Sequence, residues 1–465
     1  MIFKYNTIFN EIGKEIPSAG LDPQLDTPEP QPYICLGKVR VPMLDIQTIR
    51  SNPDMVKAGL KRVGADPLMV DKVLEIDVER RKLQKEGDEL RSDLNRRSKE
   101  IGRTKDPEER KKLIEDVSGV KGRIKTIESL EPELDERLKS LMLDIPNLPL
   151  DEVPDGPDDS ANVVEKVYGK PPALDFEPKP HWDLLQSLGL IDFERGQKIS
   201  GSRFYFLKKE GAQLQRALIT FMLDVHTKEH GYTELYPPYM VRSECLVGTA
   251  NLPKFGDNLY HDAEEDFWWV PTAEVPVTNF HREEILNESE LPKRYTAYSA
   301  CFRREKMSHG KDTRGIKRGH QFDKVELVHL EKPEESRAAL DFLLESARDI
   351  LVRLGLQHRV VKMCAGDLSF VACVKFDLEA WAPGCGEWLE VSSCGLFGDF
   401  QARRAQIRYR TAEDKKVRFV HTLNGSGLAL PRVMISLVES YQTKDGRIRV
   451  PEALRPYLDG REYLC

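Results

Sequence analysis

The strongest constraint on the fold is a stretch from about residue 72 to residue 145 that is rich in Lys, Arg, Glu and Leu and contains no aromatic residue. In its second half, apolar residues recur at alternating steps of four and three, with one step missed at Glu131, as the a/d seam of a coiled coil requires. These residues are Leu113, Val117, Val120, Ile124, Ile127, Leu134, Leu138, Leu141 and Ile145. The first half has a sparser apolar set, which consists of Val73, Ile76, Leu83, Leu90, Leu94 and Ile101.

The two halves of this stretch are separated by Gly102-Arg103-Thr104-Lys105-Asp106-Pro107, a segment that breaks a helix and supplies a turn. The sequence therefore predicts an antiparallel helical hairpin, packed as a coiled coil. With arms of about 30 residues and about 1.5 Å of rise per residue, the hairpin is expected to project roughly 45 Å into solvent. Pro132 lies inside the second arm and predicts a kink there.

Positive charge is concentrated toward the distal part of the hairpin, although the whole chain carries a net charge of -7. A negative net charge excludes a protein that coats nucleic acid without specificity, because non-specific binding depends on Lys and Arg that neutralise many phosphates. Local contacts to an RNA backbone remain open, and so does an ordinary solvated face, which charge alone favours. The distal basic residues are Arg96, Arg97, Lys99, Arg103, Lys105, Lys111 and Lys112, followed by Lys121, Arg123 and Lys125.

Changes in composition divide the chain into four regions. Residues 1–42 are rich in proline and show little apolar periodicity, which predicts a disordered leader or a mis-assigned start, with Met43 as the true start. Residues 43–150 form the predicted hairpin domain. Residues 151–180 are rich in Pro and Asp and predict a linker. Residues 181–465 alternate helix-like and strand-like segments, which favours an α+β domain built on an antiparallel sheet flanked by helices.

The composition indicates a soluble protein of a reducing compartment. Hydrophobic residues make up 40% and charged residues 32% of the chain, and no apolar run approaches the roughly 18 residues that a membrane span needs. The first residues resemble neither a secretion signal nor an import signal, so a cytoplasmic location is expected. Among the eight cysteines, Cys364, Cys373, Cys385 and Cys394 share one stretch, but their spacing matches no familiar zinc pattern and apolar packing is favoured.

The sequence lacks both the Walker loop and the Rossmann glycine motif, so a different kind of nucleotide site has to be considered. The segment from Cys301 to Glu305, a loop through Lys311 to Gly315, and the segment from His320 to Glu326 predict a strand, a long loop and a second strand. The first strand ends with two arginines, whose guanidinium groups suit bidentate phosphate contacts, and the second begins with an aromatic ring that suits a purine face. This inventory fits a bound nucleoside triphosphate.

Three motifs give this site a specific resemblance. The Arg-x-Glu of Arg303 and Glu305, with its returning strand, resembles motif 2 of the class II aminoacyl-tRNA synthetases. The segment from Gly231 to Tyr239 is similar to motif 1, the dimer-interface element of that class. The segment from Gly427 to Arg432, which runs into a helix with Glu439, is similar to motif 3.

Other segments resemble one family within this class, the seryl-tRNA synthetases of the common bacterial type. The resemblance runs from Met43 to about Pro451 in the order of the family's motifs and includes the hairpin. It implies a class II catalytic domain on an antiparallel sheet, with activation of serine by ATP and transfer to serine tRNA. The family signatures are Thr272-Ala273-Glu274, Glu390-Val391-Ser392-Ser393, Phe400-Gln401-Ala402-Arg403-Arg404 and Thr422-Leu423-Asn424-Gly425-Ser426-Gly427.

The resemblance implies an ATP site in which Arg303, Glu305 and Arg432 are the catalytic residues. Arg303 is expected to bind the α-phosphate and to stabilise the charge that develops there, while Glu305 holds the adenine edge. Phe322 is expected to stack under the adenine, with Arg432 over its other face and reaching the γ-phosphate. Arg303, Glu390 and Arg432 must therefore converge around one nucleotide. The expected ATP-binding set is completed by Arg304, Gly319, His320, Gln321, Glu390, Val391, Ser392 and Ser393.

A serine site is implied at positions that carry acceptors for an ammonium and a hydroxyl group. Buried acceptors of this kind discriminate against alanine, because the missing hydroxyl leaves them unpaired. Taken alone, Glu274 is equally well explained as a carboxylate at a helix start, and Gly425-Ser426-Gly427 as an ordinary turn. The functional interpretation therefore depends on these segments occurring together in the family's order. The expected serine-binding residues are Thr272, Ala273, Glu274, Arg303, Glu326 and Ser426.

The remaining implications of the resemblance concern the metal and the partners. Glu390 and Ser393 match the family's Mg²⁺ ligands, and their hard oxygen donors suit that ion. The seven basic residues from Arg96 to Lys112 are expected to bind serine tRNA through its shape and backbone, and selenocysteine tRNA where that tRNA exists. A homodimer is expected, in which the hairpin of one subunit reaches a tRNA whose acceptor end enters the active site of the other.

Several positions depart from the family's usual residues, and two rival interpretations are considered. The tRNA acceptor end is expected to be handled differently at these positions, which are Arg304, Lys306-Met307, Gly319 and the segment Gly395–Gly398.

The first rival function is that of a paralogue that activates an amino acid for a carrier other than tRNA, and the retained hairpin argues against it. The second rival is a non-catalytic regulatory paralogue, which has no reason to keep the ATP and metal residues.

Overall fold

The computed structural model describes residues 45–306 and 314–465, and these residues lie within one compact unit. The predicted leader of residues 1–42, the proposed start Met43 and Met307 of the motif 2 loop lie outside the described residues. Within the described ranges, every helix is too short or too polar to cross a membrane.

Four helices form the N-terminal part of the described chain. They are α1 Ile46–Ser51, α2 Pro53–Arg62, α3 Leu68–Arg103 and α4 Pro107–Asp144. Helices α3 and α4 contain 36 and 38 residues, so each is roughly 55 Å long, which exceeds the predicted arm length. Asp106 caps α4 by accepting hydrogen bonds from the backbone N–H groups of Glu108 and Glu109 at 2.8 and 3.1 Å. The predicted antiparallel helical hairpin is confirmed.

The seam between α3 and α4 is only partly shielded from solvent. Ion pairs bridge the two antiparallel helices, with Arg123 Nε 2.6 Å from Glu86 Oε1 and Arg97 Nη1 3.9 Å from Asp116 Oδ2. The buried seam residues are Val73, Ile76, Val117, Ile124, Ile127, Leu134 and Ile145. The half-buried seam residues are Leu83, Leu90, Leu94, Ile101, Leu113, Val120, Leu138 and Leu141. Two helices alone cover a seam on one side, so these side chains stay in contact with water.

Two features of the hairpin go beyond the apolar pattern. Gly87 is buried in α3, where an added Cβ would lie 3.4 Å from Ile127 Cγ2. The pattern missed this close approach because glycine carries no apolar side chain. Pro132, which predicted a kink, lies inside α4, and the helix continues on both sides of it.

The rest of the described chain contains further helices and the strands of several sheets. The helices are α5 His181–Ser187, α6 Phe193–Ser200, α7 Glu210–Lys228, α8 Ser243–Gly248, α9 Glu274–Thr278, α10 Ser336–Arg353, α11 Phe400–Ala405 and α12 Leu430–Ser440. The strands are β1 Val163–Tyr168, β2 Ile191–Asp192, β3 Phe206–Leu207, β4 Thr233–Glu234, β5 Met240–Val241, β6 Trp268–Trp269, β7 Ile285–Asn287, β8 Lys293–Phe302, β9 Gln321–Glu331, β10 His358–Lys362, β11 Val374–Ala382, β12 Glu387–Gly398, β13 Arg408–Arg410, β14 Val417–Phe419, β15 His421–Ala429, β16 Ile448–Arg449 and β17 Tyr463–Leu464.

The main sheet has eight strands in the order β1-β10-β11-β12-β15-β9-β8-β4. Every pairing in it is antiparallel except that of β4 with β8. Helices α7, α10 and α12 bury apolar side chains such as Leu218, Leu343 and Met434 against the sheet. Burial of this kind contributes about 25 cal/mol for each Å² of apolar surface removed from water. The predicted α+β fold on an antiparallel sheet is confirmed.

Residues 151–180, which predicted a linker, contribute strand β1 to this sheet. β1 pairs in antiparallel fashion with β10 and forms one edge, with Val163, Val164 and Val167 exposed. Composition missed this strand because backbone pairing at a sheet edge depends on the neighbouring strand, and the Pro and Asp residues around β1 dominate the local signal.

The base of the hairpin packs against the main sheet. The Asn147 side-chain amide donates to the carbonyls of Val371 and Phe397 at 2.8 Å each. An apolar cluster joins Leu60 and Ile145 from the N-terminal part to Phe370 from the sheet region. The N-terminal helices therefore lie close to β12, which carries part of the site.

Candidate active site

A cavity of about 800 Å³ lies on the main sheet. Residues from all three predicted sites line it, and Arg303, Glu390 and Arg432 are among them. The other predicted residues that line it are Thr272, Glu274, Glu305, Gly319, Phe322, Val391, Ser392, Ser393 and Ser426. The structure therefore brings together residues that lie as much as 160 positions apart, counted from Thr272 to Arg432.

The motif 2 arginine is held by the two strands that flank it. Arg303 follows β8, its backbone N–H donates to the carbonyl of His320 at 2.9 Å, and His320 Nδ1–H donates back to the carbonyl of Arg303 at 3.0 Å. The Arg303 guanidinium donates through Nε to the carbonyl of Pro271 at 3.2 Å and lies 5.1 Å from the centre of the Phe322 ring. The guanidinium is thus fixed beside an aromatic face, and Arg303 lines the cavity.

A second cation stands beside the motif 2 glutamate. Glu305 has a φ of 49°, in the left-handed region that non-glycine residues rarely adopt. Its Oε2 lies 3.6 Å from Arg318 Nη1, and both side chains line the cavity. Arg318 and its neighbour Lys317 were not predicted as site residues, because the long loop between the two strands carries no regular spacing.

The motif 3 arginine contacts the glutamate of β12. Arg432 lies in the first turn of α12, and its Nη1 donates to the carbonyl of Glu390 at 2.8 Å and lies 3.4 Å from Glu390 Oε2. Burial raises the pKa of Glu390, but the positive charges of Arg432, Lys375 and Arg303 outweigh it and hold the pKa below the ordinary value. Glu390 is therefore ionised at neutral pH.

Oxygen donors cluster around Glu390. Asp377 lies opposite Ser393 in the register of β11 and β12, so both side chains point to the same face of the sheet. Burial and the nearby charge of Glu390 raise the pKa of Asp377. Its Oδ1 is buried and has no hydrogen-bond partner within the described ranges, although Lys375 Nζ lies 3.6 Å away. Glu390, Ser393 and Asp377 thus offer hard oxygen ligands, which fit a magnesium ion.

A buried carboxylate lies at the centre of the predicted serine site. Glu326 is fully buried, and its Oε2 accepts a hydrogen bond from Thr272 Oγ1 at 2.8 Å. Asn424 Nδ2 donates to Glu326 Oε1 at 2.5 Å, and Lys324 forms an ion pair with the same carboxylate. Ser426 lies opposite Glu326 in the register of β9 and β15. The sequence did not assign roles to Asn424 and Lys324, although Asn424 lies within a quoted family signature.

The second carboxylate of this site has a raised pKa. Burial, together with the charge of Glu326, raises the pKa of Glu274 to about 7. Gln401 Nε2 donates to Glu274 Oε1 at 2.7 Å, and Gln401 Oε1 accepts from Thr422 Oγ1 at 2.8 Å. Gln401 therefore orients Glu274, and its presence in a quoted signature was the one signal that could have identified it.

Some predicted residues do not line the cavity. The Arg304 guanidinium lies 5.7 Å from the Tyr260 ring centre. The backbone N–H of Arg304 donates to the carbonyl of Asn258. The residues that are absent from the cavity wall within the described chain are Ala273, Arg304, His320, Gln321 and Glu326. Glu326 lies directly behind Thr272, and His320 supports Arg303, so these two adjoin the cavity without lining it.

At two of the positions that depart from the family's usual residues, close contacts explain why the residue is glycine. An added Cβ at Gly319 would lie 2.9 Å from the carbonyl oxygen of Gln321. An added Cβ at Gly395 would lie 2.6 Å from Cε1 of Phe397. Larger residues at these positions require the backbone or the Phe397 ring to move.

The basic residues of the hairpin fall into two groups. Arg96 Nη2 forms an ion pair with Asp93 Oδ1, and Arg97 Nε lies 2.6 Å from Asp93 Oδ2. The other five predicted residues are exposed and form no ion pair with any residue in the described ranges. They are Lys99, Arg103, Lys105, Lys111 and Lys112.

The antiparallel sheet, the Arg-x-Glu strand pair and the arginine at the start of α12 define a class II aminoacyl-tRNA synthetase. The family model described as tRNA synthetase class II core domain (G, H, P, S and T) matches residues 258–441, and that of the seryl-tRNA synthetase N-terminal domain matches residues 43–149. The chain belongs to the seryl-tRNA synthetase family, which confirms the resemblance seen in the sequence.

Individual relatives agree with this assignment. The serine–tRNA ligase of Thermomicrobium roseum is 53% identical over 422 residues, which cover 91% of this chain and 95% of the relative. That of Herpetosiphon aurantiacus is 51% identical, with 91% of this chain and 100% of the relative covered. The structure of seryl-tRNA synthetase from Pyrococcus horikoshii complexed with ATP has a TM-score of 0.86 and 38% identity, and the match covers 90% of this chain and 99% of that one. The cytoplasmic serine–tRNA ligase of Naegleria fowleri in complex with AMP has a TM-score of 0.81 and 32% identity, with 91% and 99% covered.

Proposed function

We propose that this chain is a serine–tRNA ligase, which activates L-serine with ATP and transfers the seryl group to serine tRNA. The single observation that carries this function is that Arg303 and Arg432 share one cavity with Thr272, which hydrogen-bonds the buried carboxylate of Glu326. The triphosphate of ATP and the ammonium group of serine can therefore bind side by side. ATP binding is also supported by the relative from Pyrococcus horikoshii, whose structure contains ATP.

The nucleotide part of the cavity uses cations and one aromatic ring. Arg303 binds the α-phosphate, and Arg432 reaches the terminal phosphate, since guanidinium groups match phosphate oxygens in geometry and charge. Phe322 stacks on the adenine, and Glu305 accepts from its amino edge. The role of Phe322 is supported by the cation–π contact with Arg303, which aligns the charge with the ring.

Glu390 and Ser393 hold Mg²⁺ in this proposal, with Asp377 behind them. When bound, the ion neutralises phosphate charge and orients the leaving group. The closeness of two carboxylates supports this assignment, because the charge of Glu390 raises the pKa of Asp377 and a bound cation relieves that repulsion.

The serine part of the cavity supplies acceptors at two ends. Glu274 binds the ammonium group, and Thr272 and Ser426 contact the amino acid beside the Glu326 carboxylate. Glu326 lies behind this wall and orders it through Thr272 and Asn424, while Ser426 in the wall accepts from the serine hydroxyl. Alanine lacks this hydroxyl and leaves the acceptor unpaired, at a cost of about 1–3 kcal/mol per group.

The reaction takes place in two steps. A carboxylate oxygen of serine attacks the α-phosphorus, the bond from this phosphorus to the bridging β-phosphate oxygen breaks, and pyrophosphate leaves. A ribose hydroxyl at the tRNA terminus then attacks the seryl carbonyl carbon and passes its proton to a phosphate oxygen of the adenylate, and AMP leaves as the bond from the carbonyl carbon to the phosphate oxygen breaks. Arg303 stabilises the negative charge that builds up in both steps.

The exposed basic residues near the hairpin tip bind the tRNA backbone. A homodimer, in which the tRNA spans two subunits, allows the long arm of one subunit to serve the site of the other. Selenocysteine tRNA is a second substrate for the same reason. A basic hairpin without aromatic residues recognises the shape and the phosphates of a tRNA more than its bases.

The direct test is serine-dependent exchange of pyrophosphate into ATP. Wild-type protein is expected to show exchange that requires serine, while Glu326→Gln keeps the shape of the side chain and loses at least about a hundredfold in kcat/KM. Glu165→Ala, at an exposed position of β1, serves as the matched control and keeps full activity. Exchange that does not depend on serine would contradict the proposal.

A second experiment separates the rival functions. Full-length protein and a variant without residues 76–140 are compared in exchange and in aminoacylation of purified serine tRNA. The proposal expects normal exchange and lost aminoacylation in the shortened protein. Equal aminoacylation by both proteins contradicts the role of the hairpin, exchange without aminoacylation in the full-length protein indicates another carrier, and the absence of both activities indicates a regulatory paralogue.

A further inference from the structure

Strand β15 contains a β-bulge at Gly427, between the serine site and the start of α12. Ser426 lies opposite Glu326 on β9, and Leu428 lies opposite Val325, so Gly427 is one residue in excess of the partner strand. A bulge of this kind shifts the alternation of side chains along a strand by one residue. The bulge therefore decides which side chains of β15 face the cavity.

The side chains of β15 change sides at this bulge. Before it, Asn424 and Ser426 line the cavity. After it, Leu428 lies in the apolar core and Ala429 lines the cavity. In a regular strand Leu428 would share the face of Ser426, because alternate residues point to the same side. The extra residue thus allows the strand to present Ser426 to the cavity and to bury Leu428.

The bulge is held by hydrogen bonds at two successive carbonyl groups. On β12, Ser392 Oγ–H donates to the Ser426 carbonyl at 2.6 Å. On α7, His226 Nε2 lies 3.4 Å from the Gly427 carbonyl oxygen. A bulged residue is left out of the regular ladder, so its carbonyl needs a donor from elsewhere. His226 is fully buried, and a Cβ on Gly427 would lie 2.9 Å from its Nε2. Glycine at this position therefore allows the imidazole to approach the carbonyl.

The partners of His226 determine which of its ring nitrogens donates. The Gly427 carbonyl can only accept, so His226 carries its proton on Nε2. Burial lowers the pKa of His226 to about 4, so the ring is neutral at neutral pH, and its Nδ1 accepts from His230 Nδ1–H across 3.1 Å. His230 Nε2–H donates to Asp349 Oδ2 at 3.0 Å. The hydrogen bonds from Asp349 through the two histidines thus fix the donor that faces the bulge.

We infer that His226 is a positioning residue for serine, which holds the Gly427 carbonyl and so keeps the bulge in the form that directs Ser426 into the cavity. This inference rests on the proposed function, in which Ser426 accepts from the serine hydroxyl, and deepens it. His226 is not part of the cavity lining, so it acts through the strand. Arg432 is held separately by the carbonyl of Glu390, so the effect is expected on serine and not on ATP.

The test compares substitutions of His226 in serine-dependent pyrophosphate exchange. His226→Leu removes the donor, and the KM for serine is expected to rise by about tenfold while the KM for ATP stays within about twofold of wild type. His226→Gln carries an amide N–H close to the place of Nε2, so its KM for serine should stay within about threefold of wild type.

A matched control separates this role from the general cost of losing a buried histidine. His358 is also buried, and its Nδ1 hydrogen-bonds the backbone carbonyl of Leu356 at 2.8 Å, but it lies outside the cavity lining. His358→Leu is therefore expected to lower the stability of the fold and to leave the KM for serine unchanged.

A double-mutant cycle shows whether His226 acts through Ser426. Ser426→Ala alone should lower kcat/KM for serine, and adding His226→Leu should then cause at most about a twofold further loss, because residues that act through one contact are not additive. The same fall for His226→Leu with and without Ser426 contradicts the inference. An unchanged KM for serine in His226→Leu, or a parallel rise in the KM values for serine and ATP, also contradicts it.

A further variant covers the case in which His226→Leu does not fold, as judged by circular dichroism. His226→Asn then takes its place, because the shorter amide does not extend to the Gly427 carbonyl. Equal KM values for serine in His226→Asn and His226→Gln overturn the inference. If the wild-type protein itself shows no serine-dependent exchange, the proposed function fails, and that result is distinct from the others.

Discussion

His181 and Glu439 form a fully buried pair that joins segments 258 positions apart, with His181 Nδ1 2.8 Å from Glu439 Oε1. Glu439, on α12, also accepts from the backbone N–H groups of Gly384 and Cys385 at 2.9 and 3.0 Å. His181 Nε2 accepts from the backbone N–H of Ile316 at 3.3 Å. Burial raises the pKa of Glu439, but the hydrogen bonds from His181 and Cys385 outweigh it and keep the pKa below its ordinary value. The pair therefore anchors the end of the motif 2 loop to the motif 3 helix.

Loss of this anchor is expected to destabilise the fold. His181→Ala leaves the Glu439 carboxylate buried without its main partner, which costs about 3 kcal/mol in the free energy of unfolding. Urea denaturation followed by fluorescence measures this change. His261→Ala, at an exposed histidine, is the control and stays within about 0.5 kcal/mol of wild type. A loss of less than about 1 kcal/mol for His181→Ala contradicts the anchoring role.

Serine use is expected to depend on pH through Glu274. Its pKa is raised to about 7, so the carboxylate is ionised above that pH and neutral below it. The serine ammonium stays charged throughout this range and binds the ionised form, so affinity falls as the pH decreases. Between about pH 8 and pH 6, kcat/KM for serine in pyrophosphate exchange should fall by about tenfold. Glu274→Gln should give a lower and flat profile, and an equally flat wild-type profile would rule out this role.

Asn424 is expected to matter for serine and not for ATP. Asn424→Ala removes the donor to Glu326 Oε1 and leaves a buried carboxylate oxygen less satisfied, at a cost of about 1–3 kcal/mol. In steady-state exchange assays, the KM for serine should rise by about tenfold while the KM for ATP changes little. An equal rise in both values would mean that Asn424 supports the cavity as a whole. Asn162→Ala, at a position outside the cavity lining, controls for general effects of the substitution.

The hairpin lysines are expected to act through phosphate contacts. Replacing four exposed lysines by alanine should weaken tRNA binding, and should make the dependence of log Kd on log salt shallower by roughly 0.7–0.9 for each lost contact. The four residues are Lys99, Lys105, Lys111 and Lys112. The same number of lysines nearer the hairpin base provides the control, in the set Lys72, Lys82, Lys85 and Lys139. Fluorescence anisotropy with labelled serine tRNA measures both effects, and an unchanged salt slope in the distal variant is the contrary result.

Sequence periodicity predicted the hairpin because its signal is local. Residues such as Val117 and Ile124 are one heptad apart and lie on the same side of a helix whatever the rest of the chain does. The same reasoning fails for Gly87, whose burial depends on the facing helix, and for β1, whose edge pairing depends on β10. Arg303, Glu390 and Arg432 were identifiable because each lies in a short motif with a recognisable order.

The sequence by itself determined the helical hairpin, the antiparallel α+β class and the motifs that hold the candidate site residues. Only the tertiary structure decided which side chains meet: Asn424 with Glu326, His181 with Glu439, and the turn Val63–Ala65 with the far end of the cavity. The physical reason is distance along the chain. Helix periodicity and turns arise from neighbours within a few residues, whereas strand register and packing join residues that lie dozens or hundreds of positions apart and leave no local signal.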